Sequence, residues 1–110
     1  MHAIERKGSL PPVVCVHGYC QSSAYWEPTV DRLAERGVHG LAVDLPGFAA
    51  SAAEPGPYTM EGLADSLASF LDARKLASVT LIGGSMGGVV AQHFVLRHPA
   101  RVGRLLLARW

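Results

Sequence analysis

The chain has 110 residues, with 49% hydrophobic and 17% charged side chains and a formal net charge of +1. That length fits one domain or part of one, with enough apolar material to bury a core. The near-neutral balance gives no general electrostatic case for nucleic acid or an anionic membrane as partner.

In chain order, "HAIERKG" (2–8) reads as a short edge strand ended by "GSLPP". "VVCVHG" (13–18) is an apolar, β-branched run of buried-strand type. Ser22 and Ser23 are N-cap candidates for a helix that turns Trp26, Val30, Leu33 and Ala34 inward. Pro28 is tolerable only in its first turn, and Gly37 suits its C-terminal cap. "HGLAVDL" (39–45) is the next strand, left through "PGFAAS" and a loop rich in Pro and small residues. From Thr59 a second helix carries Met60, Leu63, Leu67, Phe70 and Leu71 on one face. "SVTLIG" (78–83) is a third buried strand, "MGGVVAQHFVLRHP" (86–99) a third helix stopped at Pro99, and "VGRLLLARW" (102–110) a further strand.

This alternation predicts an α/β fold with a parallel sheet and helices on both faces. A ligand site then belongs at the carboxyl ends of the strands, where the loops after Gly18 and Asp44 and the turn holding Ser85 emerge. No repeat, low-complexity segment or interdomain linker interrupts residues 1–110. The N-terminus lacks the pattern of a signal peptide, and no apolar run is long enough to span a bilayer, so the expected location is the cytoplasm. Cys15 and Cys20 fit no metal or CxxC spacing and read as a buried strand thiol and a loop thiol, both reduced. Beyond Asp72 there is no acidic residue, while Arg74, Lys75, Arg97, Arg101, Arg104 and Arg109 follow. The asymmetry marks either a basic surface or, as the better reading, acids supplied by polypeptide not present.

The chemistry centres on Gly83–Gly84–Ser85–Met86–Gly87, a G-x-S-x-G between strand and helix. In a sharp turn of this kind the serine takes a strained backbone, and the residues two before and two after it must be small because they crowd together. The Met86 N–H, at a helix N-terminus, is then placed to stabilise an oxyanion. The turn alone also fits a packing or phosphate-binding role. A Walker loop, however, needs a Lys, and a dinucleotide fingerprint needs glycine at position 85 and a later acid; both are missing. His17 and Gly18 end an earlier strand at the same rim, where Gly18 lets the chain turn so that the Tyr19 N–H can be a second oxyanion donor.

"HGYCQSSAYW", "DLPGFAAS" and "GGSMGG", in this order and spacing, resemble the α/β-hydrolase superfamily. The likeness is to its single-domain serine esterases, enol-lactonases, cofactor-free haloperoxidases and C–C bond hydrolases, and covers nearly the whole chain. The resemblance implies Ser85 as nucleophile, the Tyr19 and Met86 amides as oxyanion hole, and Gly83, Gly87, His17 and Gly18 as turn-forming residues. It implies a structural turn at Asp44, Pro46 and Gly47, in which Ala49 stands where glycine is usual. It implies a small ester or lactone substrate, no metal and no organic cofactor, and its serine nucleophile argues against the epoxide hydrolase and haloalkane dehalogenase branches, which use Asp.

The family order is serine, acid, histidine. After Ser85 there is no acid, and His93 and His98 lie on the helix leaving the serine, about 12 Å or more along its axis. His17 is the other histidine at this rim, a makeshift base at most; His39 belongs at the far end of its strand and His2 is terminal. Residues 1–110 therefore read as a partial domain without acid, base or cap, and as inactive alone. The alternative is a non-catalytic binding or interaction module. Leu105, Leu106 and Leu107 would form an apolar edge open to self-association. Tyr19, Trp26 and Met86 are candidates for an apolar acyl pocket or for ordinary core.

Overall fold

The computed structural model describes residues 1–19, 21–54 and 56–108. Cys20, Arg109 and Trp110 lie outside them, so the loop-thiol expectation and the end of the last strand do too. The elements are β1 (Ala3–Arg6), β2 (Leu10–Val16), α1 (Glu27–Glu35), β3 (Val38–Val43), α2 (Met60–Ala73), β4 (Val79–Gly84), α3 (Met86–Arg97) and β5 (Val102–Ala108). The sheet order is β1-β3-β2-β4-β5. β1 joins β3 antiparallel at one edge, and the other neighbours are parallel. This is the α/β architecture that the alternation predicts, with helices on both faces.

The two faces are unequal. On one, Trp26 and Val30 cover Cys15 of β2 and Ala42 of β3. On the other, α2 and α3 bring Leu63, Leu67, Leu71, Val90, Ala91 and Phe94 onto Val14, Val16, Leu41, Val43 and Leu81. The central strands are buried on both sides, which is why they read as continuous apolar runs. Cys15 is fully buried, and burial pushes its thiol up to about 12, so it stays protonated.

Several boundaries move. β2 begins at Leu10, not Val13, because the Leu10 N–H reaches Gly37 O at 3.0 Å; the register then shifts before Val13. Pro11 and Pro12, which have no N–H to offer a ladder, occupy that irregular stretch. β3 ends at Val43, leaving Asp44 and Leu45 in the turn. The first helix starts in two steps: a 3-10 turn over Ser23–Trp26, capped by the Ser22 hydroxyl, then α1 with Pro28 in its first turn. Gly37, at φ +79, ends the first helix as predicted, and Thr59 proves to be the N-cap of α2, its hydroxyl accepting from Gly62 N–H.

Arg74, Arg97 and Arg101 of the basic second half pair with acids earlier in the chain. Arg97 donates to both oxygens of Asp65 at 2.8 and 2.6 Å, Arg101 pairs with Asp72 at 2.6 Å, and Arg74 pairs with Glu5. Bonds from Arg97 first, and His98 second, hold the Asp65 carboxyl down to about 2. Residues earlier in sequence thus supply counter-charges to Arg74, Arg97 and Arg101. Among the described residues, no helix is long and apolar enough to cross a membrane.

Candidate active site

The chain leaves β2 to one side to form β3 and returns to its other side to form β4. That reversal opens a crevice at the carboxyl ends of β2 and β4, the place where open α/β sheets bind ligands. Val16 pairs with Gly83, so the two strands end side by side. The β2 exit carries His17, Gly18 and Tyr19; the β4 exit carries Ser85.

Ser85 has φ 55 and ψ −124, outside the ordinary left-handed region as well as the helical and extended ones. The conformation is imposed from below. A Cβ on Gly87 would lie 2.2 Å from Val16 O and 2.4 Å from His17 O, and one on Gly83 would lie 2.5 Å from Gly87 O. No side chain fits at either position, so β2, β4 and α3 meet backbone to backbone beneath the serine. Ser22 and Thr59 use their hydroxyls to cap the helical turns they precede, but Ser85 makes no such bond and is exposed. Its carbonyl instead takes the Gly88 and Val89 N–H groups at 3.0 and 3.3 Å, starting α3.

Gly18 packs against this turn; a Cβ there would come 3.1 Å from Ser85 Cβ. Its N–H donates to Gln21 Oε1 at 2.9 Å, and its carbonyl accepts from Gln21 N–H at 3.2 Å, which fixes the loop. Neither the Tyr19 nor the Met86 N–H donates to an acceptor among the described residues. The first turns of α1 and α2 contain Glu27 and Glu61, whereas that of α3 contains no acid. The positive end of the α3 dipole therefore remains uncompensated beside Ser85.

His17 is fully buried. Its Nε2 accepts from Leu45 N–H at 3.1 Å, which puts the proton on Nδ1, and Nδ1 donates to Gly18 O at 2.7 Å. With both nitrogens committed it ties the β2 exit to the β3 exit, and the makeshift-base option fails. His93 sits 3.7 Å from Glu61 and His98 2.9 Å from Asp65, both between α2 and α3. His39 bonds Glu5 at 2.6 Å at the start of β3. His2 is more than a terminal residue: its Nδ1 is 2.6 Å from Asp44 Oδ2. Buried Asp44 also accepts from the Ser23 N–H and hydroxyl at 2.6 and 3.0 Å. All five histidines therefore have partners away from Ser85. Among the described residues, no group of three His, Cys, Asp or Glu side chains is placed to hold a metal ion.

Beside the serine turn lies a pocket of about 560 Å³ that Tyr19 and Met86 line together with Phe48, Tyr58, Met60 and Leu63. Trp26, a candidate for this wall, is instead buried under the sheet with Cys15 and Val30. Phe48 meets the rings of His17 and Tyr19 edge-on, at 5.3 and 6.0 Å between centroids. Sequence reasoning missed Phe48 and Tyr58; aromatics in a loop beside "DLPG" were the available signal.

A family model described as the alpha/beta hydrolase fold matches residues 11–108. A pimeloyl-[acyl-carrier protein] methyl ester esterase of Pseudoalteromonas atlantica is 38% identical over 91% of this chain and 37% of its own length. Bifunctional epoxide hydrolase 2 of Sus scrofa is 35% identical over 93% of this chain and 19% of its own. An esterase structure from Exiguobacterium antarcticum superposes with a TM-score of 0.88 at 33% identity, over 97% of this chain and 40% of that one. The chain thus spans well under half the length of these relatives. With its crossing point, its strained serine and the match over residues 11–108, the chain belongs to the alpha/beta hydrolase fold family.

Proposed function

We propose that Ser85 is the nucleophile of acyl transfer from a carboxylic ester or lactone. Its Oγ forms the bond to the carbonyl carbon, the C=O electron pair moves onto oxygen, and the Tyr19 and Met86 N–H groups hold the resulting oxyanion. Collapse of that intermediate expels the alkoxide, which takes up the proton lost by the serine. One observation carries this reading: a serine at φ 55 that leaves its hydroxyl uncommitted at the head of a helix. An ester suits it better than an epoxide among the relatives' reactions, because a serine acylated by an ester is itself a hydrolysable ester.

A serine hydroxyl needs a base to remove its proton. Every histidine here is engaged elsewhere, so the acid and base of the full reaction come from polypeptide beyond these 110 residues, and the chain alone is inactive. Its share of its relatives' length supports this. The test is hydrolysis of p-nitrophenyl butyrate by the chain and by Ser85→Ala, with and without imidazole as a free base. Without imidazole the two should match; with it, the native chain should exceed the variant by on the order of tenfold. Ser85-dependent turnover without imidazole would contradict the need for an outside base. No difference with imidazole would favour the non-catalytic binding module.

We propose as well that β5 mediates self-association. It is an edge strand with Leu106 and Leu107 52% and 53% exposed, and such edges pair with other chains. Sedimentation should show dimers or larger species; a monomer at high concentration would refute it.

A further inference from the structure

The pocket beside Ser85 has a floor, walls and a rim. Leu63 of α2 is buried at the floor, Phe48, Met60 and Met86 are half-buried, and Tyr19 and Tyr58 stand 69% and 56% exposed. Tyr58 is nonetheless held. Its hydroxyl donates to Glu54 O at 2.6 Å, and its ring is so close to two glycines that a Cβ on Gly47 or Gly56 would come within 3.0 or 3.1 Å of it. An aromatic ring is thereby fixed at the pocket rim by the loop between β3 and α2.

None of the described residues lining the pocket carries a charge. A carboxylate or phosphate drawn inside would lose hydration and meet no counter-ion, whereas an aliphatic group would gain from leaving water. The volume lies within the range of small-molecule sites.

We propose that this pocket receives the uncharged aliphatic acyl group of the substrate, and that Tyr58 sets the longest acyl chain it accepts. The inference rests on the acyl-transfer reading above, since Tyr19 and Met86 link the pocket to Ser85. Phe48 and Met60 form the sides of the acyl slot, Leu63 closes it below, and the Tyr58 ring is its far stop.

The experiment titrates the isotope-labelled 110-residue chain with methyl butanoate, hexanoate, octanoate and decanoate, and with the octanoate anion, following the amide resonances of Phe48, Tyr58 and Met60. Affinity should rise about fourfold per added methylene up to a limiting length, then stop rising. Tyr58→Ala should move that limit to longer chains, and Ala52→Trp, which fills the pocket from another side, to shorter ones. The octanoate anion should bind at least about tenfold more weakly than methyl octanoate. An unchanged limit in both variants, with their spectra still those of a folded protein, would overturn the assignment, as would equal binding of anion and ester. The two readings fail separately: length-limited binding with an unreactive Ser85 would refute only the nucleophile, and acylation of Ser85 without a length limit would refute only the Tyr58 stop.

Discussion

Two turns at the carboxyl rim of the sheet hold a small side chain at positive φ, and they do so by opposite means. Ala49, at φ 46, is exposed and bridged by local bonds, with Phe48 N–H to Leu45 O at 3.0 Å and Ala52 N–H to Ala49 O at 3.0 Å. Its methyl group bears the left-handed conformation on an exposed turn. Ser85, at φ 55, sits above three backbones packed too closely to admit a Cβ at Gly83 or Gly87. Strain at position 49 is tolerated, whereas strain at position 85 is enforced. An enforced conformation cannot relax toward an ordinary N-cap, and that keeps the hydroxyl presented instead of bonded to its own helix.

Substitutions test this contrast. Gly87→Ala should have the largest effect, lowering unfolding free energy by about 3 kcal/mol or more, because backbone oxygens on two sides block the methyl. A loss below about 1 kcal/mol in urea unfolding would mean the turn relaxes and the enforcement is illusory. Ser85→Gly should raise stability by about 1 kcal/mol while removing the hydroxyl, since glycine accepts positive φ freely. Ala49→Gly should raise it less, by about 0.5 kcal/mol, the relief being partly offset by the freer unfolded chain. Equal gains at the two positions would erase the distinction between them.

Much of this was legible locally. The spacing of Leu63, Leu67 and Leu71 places α2, the runs around Val14, Leu41 and Leu81 give the buried strands, and paired glycines around Ser85 announce the crowded turn. What escaped depends on residues distant in sequence. His2 meets Asp44 across 42 positions and Arg97 meets Asp65 across 32, so neither pair leaves a periodic trace. The pocket rim was hidden for a related reason. Residues 46–59 have no repeating apolar pattern, and Tyr58 gains its place from contact with Gly47 and a bond to Glu54 O, which emerge only in three dimensions. Trp26 shows the converse: apolar and near the site in sequence, it turns under the opposite face of the sheet.

The most direct measurement is intact-protein mass spectrometry, with peptide mapping, on samples quenched in acid after brief exposure to excess p-nitrophenyl butyrate with imidazole as the free base. With imidazole taking up the Ser85 proton, a single butyryl group should be trapped on Ser85, and without imidazole that adduct should be lost. The adduct should be absent from Ser85→Ala. Butyryl groups scattered over lysines and tyrosines, in the same pattern in native chain and variant, would contradict the assignment of Ser85 as the reactive residue.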